Sequence, residues 1–114
     1  MFQDFIYHEG EERSVSGIGE ILDELIQIAD DREKNPVIGS YTNYLLSKGE
    51  DKVLNKFGEE CVELIVAAKN HDKSETIHEI ADVLYHLTIL LYQEDIEWEK
   101  VESELRKRRE TTAE

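Results

Sequence analysis

The chain has 114 residues, the length of one domain, and its formal net charge of −14 argues against nucleic acid or an anionic membrane as a partner. No apolar stretch approaches the ~20 residues needed to span a bilayer, and the first residues lack the basic start and apolar run of a secretion signal. We therefore expect a cytoplasmic protein. Its single cysteine, Cys61, excludes an internal disulfide and fits a small core position in a helix.

Helical periodicity follows a non-periodic arm, residues 1–16, and divides the rest of the chain into segments. Apolar spacing predicts a first helix over about residues 19–31, which Pro36 separates from the next. Ser40 is expected to cap a second helix that ends at Gly49. The remaining predicted helices cover approximately residues 52–69, 74–92 and 97–109.

No run of alternating β-branched residues is present, so we predict an all-α fold: an antiparallel bundle of four to five helices. The domain is expected over residues 17–110, followed by a tail, residues 111–114. The apolar stripes of the third and fourth helices are too wide for so small a chain to cover alone, which predicts completion of the core by dimerisation. The third helix's stripe contains Val53, Leu54, Phe57, Cys61, Leu64, Ile65 and Ala68.

The last predicted helix differs from the others in its charge. Val101 and Leu105 are expected to face inward. Its basic end, residues 106–109, suits the negative end of a helix dipole, and a role in binding substrate is the alternative.

The two central helices each carry a pair of acids three residues apart. Glu60 and Glu63 lie on one side of the third helix, and Glu79 and Asp82 lie on one side of the fourth. Because these helices are neighbours, the two pairs can face each other across a groove. Carboxylates about 4 Å apart repel by about 4 kcal/mol at an effective dielectric of about 20, and a divalent cation turns that repulsion into a binding site. Oxygen ligands favour Mg²⁺ or Mn²⁺.

Such a site suits the hydrolysis of polyphosphates, because the metal neutralises phosphate charge and positions an attacking water. Glu59 lies at the edge of the cluster and is our candidate for the acid that takes the proton from that water. Lys52 and Lys56 follow Lys48 at intervals of four residues and approach the same face. They either contact phosphates or are solvated surface lysines.

These motifs resemble those of a known family. The segments 58–63 and 79–82 resemble the E-x-x-E…E-x-x-D signature of the all-α nucleoside-triphosphate pyrophosphohydrolases. Residues 39–45 resemble the G-S-Y-T-x-x-L motif of the phosphoribosyl-ATP pyrophosphatase family, as do residues 51–60, 67–70, 81–87 and 105–108. The resemblance covers about residues 19–109.

The resemblance implies hydrolysis of phosphoribosyl-ATP to phosphoribosyl-AMP and pyrophosphate, a step of histidine biosynthesis, with a magnesium requirement and a dimer. It also implies a substrate-binding role for residues in the shared motifs. These are Ser40, Tyr41, Lys52, Lys56, Lys69 and Asn70.

Three other interpretations remain open at this level. A MazG-like enzyme would keep the fold and act on a nucleoside triphosphate. A di-iron bundle is suggested by Glu75 and His78 at E-x-x-H spacing, although that architecture needs two such copies. A non-catalytic acidic dimer acting as an interaction module is the third.

Overall fold

The structure, a computed structural model, describes Gly10 and residues 13–113, with side chains described as far as Arg109. The described part is all-helical and contains five helices. They are α1 (Ile18–Lys34), α2 (Tyr41–Lys48), α3 (Glu50–Lys69), α4 (Lys73–Gln93) and α5 (Trp98–Ala113). The predicted all-α class and the order of its helices are therefore confirmed. Most of the predicted arm, residues 1–16, lies outside the described residues.

Local sequence explains where the central helices begin and end. The Ser40 hydroxyl accepts a hydrogen bond from the Asn43 backbone N–H at 3.1 Å and caps α2, as predicted. Gly49, at φ 89°, separates α2 from α3 in a conformation that favours glycine. The Asp72 carboxylate caps α4 by accepting from the Glu75 N–H at 3.0 Å. These caps fix where the helices that carry the acidic pairs start.

The most extensive helix contact in the described chain is between α3 and α4, and α1 and α2 pack against this pair. The core where they meet is small and apolar, and Ala29, Leu45, Val53 and Ile89 are its fully buried members. Each of the first four helices contributes one of these residues. The core therefore holds α2 against the α3–α4 pair, where the acidic side chains lie.

Leu54 and Ile65, on the apolar stripe of α3, are 42% and 62% exposed, as expected of a stripe that is too wide for one chain to cover. The expectation for α5 is wrong: Leu105, expected to face inward, is 44% exposed because α5 packs only sparsely on the other helices. An open groove of about 820 Å³ lies between α1 and α5, and both Leu22 and Leu105 line it. The apolar periodicity is real, but one copy of the chain lacks the surface to cover it.

Among the described residues, no helix combines the length and the apolar character that crossing a bilayer requires.

Candidate metal and substrate site

Three of the four predicted ligands meet between α3 and α4. Glu60, Glu63 and Glu79 each place a carboxylate oxygen within 4.8 Å of the others. Asp82 lies one turn beyond Glu79 and forms a second such group with Glu79 and His78. Glu79 belongs to both groups, so the four carboxylates form one continuous cluster. The i, i+3 spacing of each pair is what brings them to the shared groove.

Two oxygens of this cluster have no partner. Oε2 of Glu60 and Oε2 of Glu79 are buried, and no hydrogen-bond donor in the described chain reaches either of them. Glu60 is only 9% exposed. A buried carboxylate oxygen without a donor is costly, and native structures rarely leave one unmatched. The pair therefore has the character of a ligand set for a divalent cation, whose preferred ligands are oxygens.

The protonation of the cluster reflects the same crowding. Burial, together with the adjoining carboxyl groups of Glu63 and Glu79, raises the pKa of Glu60 to about 7. Burial and the charge of Glu63 also raise the pKa of Glu79. The raised pKa values mean that burial and mutual repulsion disfavour the charged carboxylates when no cation is bound. A metal ion bound among them would offset that penalty.

Glu59 and Lys56 form an ion pair at the edge of the cluster. Lys56 Nζ lies 3.2 Å from Glu59 Oε2, and the Glu59 side chain is 61% exposed. Glu59 is thus close to the ligand groups in sequence but faces solvent. Lys56 lies within electrostatic range of Glu60 and Tyr41. The structure therefore places one positive charge between the acidic cluster and the start of α2.

Tyr41, at the start of α2, is anchored to α4. Its hydroxyl lies 3.0 Å from Nε2 of His86, and its ring packs edge-on against the His86 ring with centroids 5.7 Å apart. Beside it, the hydroxyls of Thr42 and Tyr85 form a short hydrogen bond. Two adjacent residues of α2 therefore contact two adjacent residues of α4, about one helical turn after Asp82.

Lys48, at the end of α2, and Lys52, at the start of α3, both lie over the Tyr44 ring. Their Nζ atoms are 5.7 and 5.9 Å from the ring centroid, and the π face of an aromatic ring attracts cations. The Tyr44 ring lies beside that of Tyr41, with centroids 5.9 Å apart and planes inclined by 22°. Lys52 therefore lies beside a tyrosine ring, whereas Lys56 is paired with Glu59 at the edge of the carboxylate cluster.

The remaining predicted substrate residues lie at helix ends. Ser40 uses its hydroxyl to cap α2. Lys69 and Asn70 are exposed at the C-terminal end of α3. Asn70 also lines a groove of about 260 Å³ that reaches Glu63 and Glu79. This groove connects the end of α3 with the carboxylate cluster.

Two histidines lie next to the site, and neither is among the site residues predicted from the sequence. Nε2 of His78 lies 3.3 Å from Oδ2 of Asp82, with which it forms a possible ligand group. His86 is buried and contacts Tyr41 across two helices. Spacing of four residues on either side of Asp82 was the available signal. Glu75, by contrast, belongs to neither possible ligand group in the described chain, which leaves the di-iron interpretation unsupported.

The fold is all-α and gathers four carboxylates in one helical groove, and two of them have buried oxygens that no donor in the described chain reaches. Helical proteins that hold a divalent cation have this kind of arrangement. The sequence profile of the family described as "Phosphoribosyl-ATP pyrophosphohydrolase" matches residues 22–109. The chain belongs to this family.

Curated relatives are similar in sequence over most of the chain. A protein named phosphoribosyl-ATP pyrophosphatase from Clostridium acetobutylicum is 50% identical over 91 residues, which are 80% of this chain and 83% of that protein. Another of that name, from Streptococcus thermophilus, is 51% identical over 77% of this chain and 85% of its own length. The histidine biosynthesis bifunctional protein HisIE of Caldanaerobacter subterraneus is 44% identical over 90% of this chain, which matches 49% of that protein.

Proposed function

We propose that this protein hydrolyses phosphoribosyl-ATP to phosphoribosyl-AMP and pyrophosphate, as a step of histidine biosynthesis, in the cytoplasm. Two findings support this reaction: the chain belongs to the family, and its curated relatives share about 50% sequence identity with it. The main structural support for a cation site is the pair of buried oxygens on Glu60 and Glu79 that have no hydrogen-bond partner. They match the need of a triphosphate-cleaving enzyme for a cation between its own acids and the substrate's phosphates.

The proposed cation ligands are Glu60, Glu63, Glu79 and Asp82, and the proposed cation is Mg²⁺, with Mn²⁺ as a substitute. When bound, such a cation would offset phosphate charge and help to orient a water for in-line attack. The chain's own contribution is the fixed i, i+3 spacing of the ligands on two packed helices. His78, beside Asp82, orients that carboxylate through its Nε2.

Glu59 is the proposed acceptor of the proton from the attacking water. It is exposed and paired with Lys56 at 3.2 Å, so it is a carboxylate that can face solvent at the edge of the site. Lys56 lies close enough to exchange this partner for a phosphate oxygen. In that event Glu59 would be released at the moment when substrate arrives.

The substrate is proposed to lie along the start of α2 and α3 and to reach the far end of α3. The tyrosine ring of Tyr41 and the charges of Lys52 and Lys56 form one side of this path. Ser40 would contribute through the backbone geometry that its cap fixes at the start of α2. Lys69 and Asn70 lie at the other end, beside the groove that leads to Glu63.

The direct test is to incubate the purified protein with phosphoribosyl-ATP and Mg²⁺ and to measure pyrophosphate. Parallel reactions with dUTP and dCTP measure specificity. We expect release of pyrophosphate from phosphoribosyl-ATP at a kcat/KM well above that for either nucleotide, and none in the presence of a chelator. A preference for dUTP or dCTP would favour a MazG-like nucleotide hydrolase instead.

We also propose that the chain is an antiparallel bundle completed by a second copy. Support comes from the exposed apolar side chains on one surface of α3 and α4, which are too many for a stable monomer. They are Leu54, Val62, Ile65, Val66, Ile77 and Ile80. Val62 and Val66 flank Glu63 in the groove beside the acidic cluster. A partner lying on this surface would shield the cluster from water.

Light scattering over a range of concentrations tests the assembly. We expect the mass of a dimer or a larger oligomer. Ile65→Glu should shift this mass towards that of one chain, while Glu97→Gln, on an exposed position away from this surface, should not. A monomer mass at every concentration would contradict the proposal.

A further inference from the structure

One buried imidazole takes no part in the proposed chemistry. His86 is 4% exposed, and it lies on α4 one turn after Asp82. Its Nδ1 is 2.8 Å from the backbone carbonyl oxygen of Asp82, and its Nε2 is 3.0 Å from the hydroxyl of Tyr41. Both ring nitrogens therefore have one partner each, on two different helices.

The identity of these partners fixes which atom carries the proton. A carbonyl oxygen can only accept a hydrogen bond, so Nδ1 of His86 must be the protonated nitrogen. In the neutral ring Nε2 is then an acceptor, and the Tyr41 hydroxyl donates to it. Burial raises the pKa of the Tyr41 phenol, which keeps that donor protonated near neutral pH.

The bond is not needed to hold α2 against α4. The neighbouring hydroxyls of Thr42 and Tyr85 already join these two helices, and Leu45 anchors α2 in the core. Tyr41 as a residue is 43% exposed, and its ring lies beside the rings of Tyr44, Tyr85 and His86. These ring contacts are not directional in the way that a hydrogen bond is. What the His86 bond adds is a fixed direction for the Tyr41 side chain.

In that orientation Tyr41 lies near the edge of the acidic cluster, because the charges of Lys56 and Glu60 both act on the pKa of its phenol. We propose that His86 is a positioning residue, which holds Tyr41 in the orientation that receives the substrate and so couples the start of α2 to the helix turn that carries Asp82. This role rests on the proposed function, because it concerns binding of the same substrate. A ring held in place before binding loses less entropy when substrate arrives.

Two amide substitutions separate this role from simple packing. In His86→Gln the side-chain oxygen can reach the position of Nε2 and accept from Tyr41, while in His86→Asn the amide can only replace Nδ1 and donate to the Asp82 carbonyl. Both variants are polar and uncharged. They differ in which of the two hydrogen bonds they preserve.

We expect His86→Gln to keep the KM for phosphoribosyl-ATP within about threefold of wild type. His86→Asn and Tyr41→Phe should each raise KM about tenfold with a smaller change in kcat, which corresponds to about 1.4 kcal/mol of binding. The double variant should be no worse than either single one, because both remove the same bond. Tyr85→Phe, which breaks the parallel bond, should lower the melting temperature and leave KM unchanged.

Nitrogen NMR of the free protein supplies a readout independent of turnover. At a pH of about 8, where an ordinary imidazole is neutral, His86 should show a protonated Nδ1 and a hydrogen-bonded, unprotonated Nε2. The Nε2 signal should shift in Tyr41→Phe. Equal impairment of His86→Gln and His86→Asn, a wild-type KM in His86→Asn, or protonation at Nε2 would overturn the positioning role. A wild type that releases no pyrophosphate would overturn the proposed function with it.

Discussion

Two regions of the molecule are rich in acidic side chains, and they differ in whether the carboxylates have hydrogen-bond partners. At one end of α4, the one hydroxyl proton of Tyr92 is shared between the carboxylates of Asp30, at 3.1 Å, and Glu33, and Lys34 pairs with Asp30 at 2.8 Å. Between α3 and α4, Glu60 and Glu79 bury oxygens that receive no donor. The two regions are therefore alike in acidic density and differ in whether their carboxylate oxygens have hydrogen-bond partners.

The pKa values follow the same division. The hydrogen bond from Lys34 lowers the pKa of Asp30, so the first region favours the charged carboxylate. Burial and neighbouring acids raise the pKa of Glu60 to about 7, so the second region disfavours it. The first region, which we call the partnered acidic region, is structural by this criterion. The second is the carboxylate cluster. If missing hydrogen-bond partners mark the functional site, substitutions in the two regions should have different effects.

The largest expected effect is on catalysis. Glu63→Gln and Asp82→Asn keep the shape of the side chain and remove a charged ligand, so kcat should fall about 100-fold or more while the fold survives. Glu33→Gln in the partnered acidic region is the matched control and should stay within about twofold of wild type. Pyrophosphate release measures both. Near-normal turnover in Glu63→Gln and Asp82→Asn would show that the proposed ligands are wrong.

The next effect is on stability in the presence of metal. Mg²⁺ or Mn²⁺ should raise the melting temperature, because a ligand at a hundredfold excess over its dissociation constant adds about 2.7 kcal/mol. Glu79→Gln should remove most of this increment, and Asp30→Asn should retain it. An increment that disappears in Asp30→Asn and persists in Glu79→Gln would reverse the comparison.

A smaller effect concerns pH in the absence of metal. The pKa of Glu60 is higher in the folded protein, about 7, than its ordinary value of 4.5, so the folded state favours the protonated acid. The free energy of unfolding should therefore fall as pH rises from about 4.5 to 7 and level off above that. Each pKa unit corresponds to about 1.4 kcal/mol, and crowded acids share the shift, so a fall of the order of 2 kcal/mol is expected.

Urea unfolding in a chelating buffer at several pH values measures this fall. Glu60→Gln removes the titrating group, so its curve should lack this component and lie above the wild-type curve at pH above about 7. Identical pH profiles for the two proteins would contradict the shifted pKa.

The smallest effect lies in the partnered acidic region. Tyr92→Phe removes the hydroxyl that bonds Asp30 and Glu33 and should lower the free energy of unfolding by about 1 kcal/mol. Metal-linked stabilisation and pyrophosphate release should not change. A loss of either would mean that this region contributes to the site.

The same comparison shows what a sequence can predict. Glu60, Glu63, Glu79 and Asp82 were placed correctly in one groove because helical spacing is local and the turn before α4 is short. The partnering of acids was not visible, since Tyr92 and Asp30 are joined only by the packing of α1 on α4. Sequence periodicity shows which residues share one side of a helix, but it does not show which carboxylates receive hydrogen bonds from other helices.

Long-range contacts account for the remaining differences. The bond from Tyr41 to His86 joins residues 45 positions apart, so no local pattern indicated it. Lys52 lies over the Tyr44 ring, a contact that depends on how α2 packs against α3. Leu105 is exposed because α5 packs only sparsely on the other helices. The apolar spacing within α5 does not indicate how closely that helix packs.

The most direct test of the account is to locate the metal. Crystals soaked in Mn²⁺ would reveal the ion by its anomalous scattering, and substitution of Glu79→Gln supplies the comparison. The account predicts an anomalous peak within bonding distance of oxygens from Glu60, Glu63, Glu79 and Asp82, which is lost or weakened in Glu79→Gln. A peak between Asp30 and Glu33, with none between α3 and α4, would contradict it.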